Sequence, residues 1–197
     1  LTCRPSKTNH PHSIIDAPAV AGSKVQPNMW KDNVIGPNPG GWGFFLKDNV
    51  NEDGYQSICV PGIIRGLEFI HKRWCSIPWQ DLIEPAIQLS QTGWSLGETL
   101  ARRWKDAPQY YENTSLLEKL HVSPESRRIY LNANDKPFEA GSTLRNPDYG
   151  KTLEKLAKNG PDDFYQGCLS QMIMADLERH GSWITNDDLV NYQIREE

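Results

Sequence analysis

Val60 to Gly93, VPGIIRGLEFIHKRWCSIPWQDLIEPAIQLSQTG, is the stretch that most constrains the fold. Pro61 suits the first position of a helix, where a missing N–H costs nothing and φ is already fixed. Behind it Ile63, Leu67, Ile70 and Trp74 recur at helical spacing and predict one apolar stripe. Pro78 opens a second helix, with Leu82, Ile83, Ala86 and Ile87 as its stripe. Gly93 ends it, as a residue free to take a left-handed conformation. Two such stripes joined by a turn of about four residues predict an antiparallel helix pair.

The rest of the chain is read around that pair. Residues 1–59 form a loop-rich segment with short strands. Ser13–Ala17 is a strand ending at Pro18, and Phe44-Phe45-Leu46 is a strand expected to pair with Ser57–Val60 as a hairpin. Residues 60–192 are the helical part. Ser95 and Glu98 have the spacing of a capping box for the helix carrying Leu96, Leu100 and Trp104. Leu116, Leu117 and Leu120 predict a short helix, and Arg128–Leu131 a strand that turns through Asn132–Asp135. Asn146-Pro147 starts a helix with Tyr149, Leu153 and Leu156 inward, ended by Gly160. Asp162 or Asp163 caps a further helix with Phe164, Leu169, Met172, Ile173 and Leu177 inward, closed by Gly181. Thr185 and Asp188 form a second capping box. Residues 193–197 are a truncated connection to missing chain. The result is a helix-rich α+β class with about two to four short strands and no sheet of its own to complete. An apolar face near Ser13–Ala17 and Phe44–Val60 is therefore expected to be covered by another chain.

Composition narrows the function classes. The 197 residues carry a net charge of −4 with scattered lysines and arginines, which argues against a nucleic-acid partner. Leu1 in place of an initiator Met reads as a processed or excised piece. No apolar run approaches a membrane span. The low mean hydropathy leaves room for a protein partner. Cys3, Cys59, Cys75 and Cys168 include no C-x-x-C and read as buried free thiols. Asn113-Thr114-Ser115 is a glycosylation sequon, relevant only on a secretory route.

Little else carries chemistry. The glycine cluster from Gly36 to Gly41 lacks the ending of a phosphate loop. His71 lies beside the first stripe and reads as a helix-packing or surface histidine rather than a catalytic base. His10 and His12 flank Pro11 with no third metal ligand indicated, and no metal or cofactor is expected. His121 and His180 sit near helix ends, and the acidic pairs Asp162-Asp163 and Asp187-Asp188 at helix starts.

The ordered motifs nevertheless resemble the large subunit of the γ-glutamyltranspeptidase (glutathione hydrolase) family. The central stretch gives Val60-Pro61-Gly62, Gly66-Leu67, Pro78-Trp79, Leu82-Ile83, Pro85-Ala86-Ile87, Leu89 and Gly93-Trp94. Downstream come Thr152-Leu153, Leu156-Ala157, Gly160, Phe164-Tyr165 and Gly167, then Gly181, Ile184-Thr185, Asp188-Leu189 and Tyr192.

The resemblance implies a portion of a four-layer αββα N-terminal-nucleophile hydrolase. It implies a self-cleaving precursor, a small catalytic subunit as partner, and glutathione or another γ-glutamyl amide as substrate. An N-terminal threonine of the small subunit would be the nucleophile, so this chain supplies no catalytic residue. The family is extracellular, cell-surface or periplasmic. One departure concerns substrate binding. Aligned from Ile15-Asp16, with Lys24 and Met29 fitting the flanks, the family's substrate-binding arginine falls on Pro18 and the acid after it on Ala19. A charge-assisted clamp on the donor carboxylate is then missing. Either Arg4 or Lys24 replaces it, or the substrate is a different amide, as in an acylase, or the chain is a non-catalytic binding or scaffold relative.

Overall fold

A computed structural model describes the backbone of residues 2–3 and the whole of residues 13–40, 43–106 and 114–197. Arg4, His10, His12, Pro108 and Asn113 lie outside the described residues, as does the side chain of Cys3. The elements fall into two compact units, and residues 1–59 contribute to both. The first unit is Leu1–Pro27, Tyr55–Pro85 and Thr152–Glu197; the second is Asn28–Gly54 and Ala86–Lys151.

In the first unit β1 (Thr2–Cys3) and β2 (Ser13–Asp16) pair antiparallel, Thr2 opposite Ile14. The other edge of β2 takes Arg195–Glu196, with Ile15 opposite Glu196 and Asp16 opposite Arg195. Residues 13–16 are thus flanked on both sides by their own chain, which corrects the expected open face there. Val60 does not extend a hairpin. It makes an isolated antiparallel bridge to Val20, with both N–H···O bonds formed, at 2.7 and 3.2 Å.

The helices of this unit follow the local signals. α1 (Ile63–Trp74) leads through a short connection into α2 (Trp79–Thr92). The two expected stripes do not meet in a buried seam, however. Ile63 and Leu67 are 50% and 40% exposed and Leu82 is also exposed, whereas Glu68, on the opposite side of α1, is 7% exposed. α1 instead buries Gly66 and Glu68 and packs Ile64 against the core, and it touches β2. The α1–α2 connection is held instead by His71. Its Nε2 lies 2.9 Å from the Ile77 carbonyl and its ring meets Trp79 edge-on. The Trp79 indole N–H in turn donates to the Leu156 carbonyl at 3.1 Å.

In the second unit β3 (Val34–Pro37) pairs with β4 (Phe44–Leu46), so β4 has a different partner from the one expected in Ser57–Val60. β5 (Trp94–Ser95) takes Ser95 away from its predicted cap. α3 (Glu98–Arg103) is capped by Gly97 with no side-chain bond. The box with both reciprocal bonds is Ser115–Glu118, which starts α4 (Leu116–His121). α5 (Pro124–Tyr130) replaces the predicted strand at 128–131, because Ser123 caps it and Pro124 fills its first turn. Leu131 keeps only a bridge to Pro137. β6 (Thr143–Leu144) closes on β5. At Gly93, φ is +96° and a Cβ would lie 2.6 Å from the Leu144 carbonyl oxygen, so only glycine fits this expected helix end. Leu96, Ala101, Trp104, Leu120, Leu131 and Leu144 form the core of this unit.

The chain then runs through α6 (Pro147–Asn159), α7 (Asp162–Gln166), α8 (Cys168–Arg179), α9 (Asn186–Val190) and β7 (Arg195–Glu196). Asn146 caps α6 as predicted, its side-chain oxygen accepting from the Tyr149 N–H at 3.0 Å, but Tyr149 is exposed rather than inward. The single helix expected from a cap at Asp162 or Asp163 is split. Asp163 Oδ1 accepts from the Cys168 N–H at 2.6 Å, and a Cβ on Gly167 would lie 2.2 Å from that oxygen. Val60, Tyr165, Met174, Leu177, Ile184, Leu189 and Tyr192 make the core of the first unit. Met172 faces out. Cys59, Cys75 and Cys168 are free and exposed, against the expectation of buried thiols. No described helix is long and apolar enough to cross a membrane.

Candidate functional site

The residue that departs from the family pattern, Pro18, lies just past β2 in the first unit. Its side chain is exposed and its carbonyl accepts from the Tyr192 hydroxyl at 2.6 Å. Gly62, the residue before α1, sits against the same spot. A Cβ there would come 2.0 Å from Tyr192 Oη and 2.6 Å from each of the Ala17 and Pro18 carbonyl oxygens. Tyr192 follows the last turn of α9, whose start is fixed by the Thr185–Asp188 box. So the strand end, the start of α1 and the end of α9 converge on one tyrosine hydroxyl.

Tyr192 stacks on Tyr165, ring centroids 6.0 Å apart. The Tyr165 hydroxyl donates to the Pro61 carbonyl at 2.8 Å and accepts from the Arg65 N–H at 3.1 Å. It thereby serves one of the first-turn N–H groups of α1, which have no partner inside the helix. Burial pushes the Tyr165 phenol up to about 12. The Arg65 guanidinium lies 4.3 Å above the same ring. Its Nη1 contacts Glu68 Oε2 at 2.8 Å and Asp162 Oδ1 at 2.5 Å, and Lys72 holds the other Glu68 oxygen at 2.6 Å. Burial works against the charged arginine, but its two carboxylate partners outweigh burial and raise its pKa. The hydrogen bond from Arg65 is the main reason Asp162 stays below the usual carboxylate range. The sequence carried a signal for this network, Arg65 and Glu68 three apart on the face opposite the stripe, which the apolar pattern overshadowed.

Two clefts flank Tyr192. One, of about 510 Å³, is bordered by Arg65, Glu68, Phe69, Lys72 and Asp162. The other, of about 570 Å³, is bordered by Val20, Ser23, Val60, Asp187 and Asp188. In the second, burial alone would raise Asp188. The N–H and hydroxyl groups of Ser23 and Thr185, all within 3.1 Å of its Oδ2, outweigh that and lower its pKa.

The remaining expected residues are structural in their surroundings. Lys24 is exposed, and its main-chain N–H donates to the Trp183 carbonyl. His71, His121 and His180 each turn a ring nitrogen to a main-chain carbonyl. Asp162 and Asp163 serve Arg65 and the start of α8. Among the described residues no group of three or more His, Cys, Asp or Glu side chains is placed to hold a metal ion. Around the first cleft Arg65, Glu68, Lys72 and Asp162 pair with one another, whereas Asp188 in the second is held by neutral N–H and hydroxyl groups, and both arrangements fix helix ends in place.

The fold is a helix-rich α+β one that is shared with solved γ-glutamyltranspeptidases. The whole chain superimposes on the γ-glutamyltranspeptidase of Helicobacter pylori with a TM-score of 0.80 at 24% identity, covering 51% of that chain. The family model described as gamma-glutamyltranspeptidase matches residues 2–197, and the chain belongs to that family. Among curated relatives, Scoloptoxin SSD14 of Scolopendra dehaani is 35% identical over 144 residues, 73% of this chain and 24% of that protein. The glutathione hydrolase proenzyme of Pseudomonas aeruginosa is 29% identical over 150 residues, 75% of this chain and 24% of that protein. The chain thus spans about a quarter of the curated relatives' length.

Proposed function

We propose that this chain is part of the large subunit of a γ-glutamyltransferase or glutathione hydrolase, acting with a small catalytic subunit cut from the same precursor. The observation that carries this reading is the family match across residues 2–197. Relatives named glutathione hydrolase proenzyme support glutathione or another γ-glutamyl amide as the substrate. In this reading a threonine at the N-terminus of the partner attacks the γ-glutamyl amide, with its own amino group as base. The acyl group then passes to water or an amino acid. The part played here is architectural: Tyr192, Gly62 and Tyr165 fix the Pro18 segment against α1. The exposed Ile63 and Leu67 of α1 support a protein partner, since an apolar stripe gains by leaving water. Placement outside the cytoplasm belongs to the same reading.

A second reading keeps the fold and changes the amide, and Pro18 favours it. An exposed proline offers no charge to a donor carboxylate. Co-expression of the chain with the rest of its precursor separates the two. γ-Glutamyl anilide hydrolysis that co-purifies with the assembled complex, and is absent from the chain alone, supports the first. A complex that cleaves only amides lacking the γ-glutamyl carboxylate supports the second. A complex inert towards both classes leaves a non-catalytic relative.

A further inference from the structure

The two methionines of α8 are placed in opposite environments. Met174 is in the core with Tyr165 and Leu177. Met172, two residues earlier, is 54% exposed, and its Sδ lies 3.2 Å from the Lys155 ammonium on α6. A thioether is a weak acceptor for a cationic donor. A sulfoxide oxygen on the same sulfur carries substantial negative charge and accepts a charge-assisted bond.

We propose that Met172 is an oxidative modification site, whose sulfoxide is held by Lys155 as a bond between α8 and α6. The oxidant is a peroxide. The sulfur lone pair attacks one peroxide oxygen, the O–O bond breaks, and an S–O bond forms. Sulfur loses two electrons, and hydrogen peroxide leaves as water after proton transfer. The ammonium keeps its place and exchanges a poor acceptor for a good one. Oxidation at Met172 is therefore tolerated, whereas the same change at Met174 would put a polar oxygen among Tyr165, Leu177 and Leu189. The sequence pattern Met-x-Met gives the helix an outer residue that meets peroxide before the inner one does. The inference does not depend on the enzymatic reading above.

The test treats the folded chain with dilute hydrogen peroxide and follows each methionine by peptide mass mapping, with a thermal melt of the product. Met172 is expected to gain oxygen about tenfold faster than Met174, as exposure dictates. Met172→Leu should abolish that fast phase. In the unaltered chain the melting temperature should hold after Met172 is oxidised, and in Lys155→Ala oxidation should lower it. Equal oxidation rates at Met172 and Met174 would overturn the site. An identical thermal shift with and without Lys155 would overturn its role in holding the sulfoxide. Both variants change exposed or half-exposed side chains, and the unoxidised melt of each verifies its fold.

Discussion

Gly62→Ala isolates the convergence on Tyr192. Gly62 has φ −97° and ψ −20°, a region open to alanine, so no backbone strain enters. What enters is a methyl group 2.0 Å from Tyr192 Oη and 2.6 Å from the Ala17 and Pro18 carbonyl oxygens. The tyrosine tip can swing away, but the two carbonyls belong to backbone fixed by the β2 pairing and the Val20–Val60 bridge. Overpacking of this kind costs about 1–3 kcal/mol. A displaced Tyr192 hydroxyl forfeits its bond to the Pro18 carbonyl, about 1 kcal/mol more. The loss of glycine's freedom in the unfolded chain offsets about 0.4–1 kcal/mol. The net destabilisation is about 1–3.6 kcal/mol, a fall in melting temperature of about 2–14 °C for a chain of this size. Thermal denaturation followed by circular dichroism reads it directly. Adding Tyr192→Phe should recover about 1 kcal/mol of the cost, because the nearest clash then has no atom. A Gly62→Ala variant that melts with or above the unaltered chain would refute the close approach.

Four further variants probe the same geometry. Tyr165→Phe leaves the Pro61 carbonyl and the Arg65 N–H without their partner and should cost about 1–3 kcal/mol in urea denaturation. The folded chain holds the Tyr165 proton up to about 12, against about 10 in the unfolded chain. Its stabilisation is therefore complete below pH about 10 and is lost as pH rises towards 12; the urea midpoint should fall across that window less steeply in Tyr165→Phe. Asp163→Ala removes the acceptor for the Cys168 N–H and should cost about 1–2 kcal/mol, visible as faster hydrogen exchange at the start of α8. Leu67→Asp, on the exposed stripe, should leave the chain's own melt within about 0.5 kcal/mol while abolishing co-purification with the rest of the precursor. Pro18→Arg should fold, because the Tyr192 bond uses the main-chain carbonyl, at a cost of about 0.4–1 kcal/mol. In the assembled enzyme it should raise γ-glutamyl turnover, and an unchanged rate would count against the clamp as the missing element.

Signals confined to one turn of chain were legible, and those that needed a distant partner were not. Gly93, Gly160 and Gly181 all take positive φ, and Asn146 and Thr185 cap the helices they were read to cap. Two segments share the S-x-x-E pattern, but only Ser115–Glu118 is a box, since Thr143 draws Ser95 into a strand pair. Arg128–Leu131 looks extended by composition, yet the Ser123-Pro124 start overrides it. β4 pairs with Val34–Pro37 and not with Ser57–Val60, a partner hidden in the sequence because Gly36 and Pro37 weaken its strand pattern. At the site, Pro18 was singled out from the sequence, but nothing local to it announces Tyr192, 174 residues away.

The orientation of α1 follows from the same competition between local and distant forces. Periodicity identifies a stripe but does not say which surface will cover it. Within this chain the surface facing α1 carries Tyr165 and Asp162, and these suit Arg65, not Ile63 or Leu67. Once Arg65 is stacked on Tyr165 and bonded to Asp162, Glu68 is drawn in three residues later, and Lys72 reaches its second oxygen. Asp162 and Lys72 hold their ends of this network in water, where such pairs add little net stability. The effect of the network is geometric. It rotates α1 so that Gly62 meets the Pro18 carbonyl on one side, while Ile63 and Leu67 are presented outward on the other. An apolar stripe held out by charges that are each satisfied within the chain can be covered from outside without breaking any of those pairs. That separation lets one helix anchor the Pro18 segment and remain available to the protein partner proposed for it.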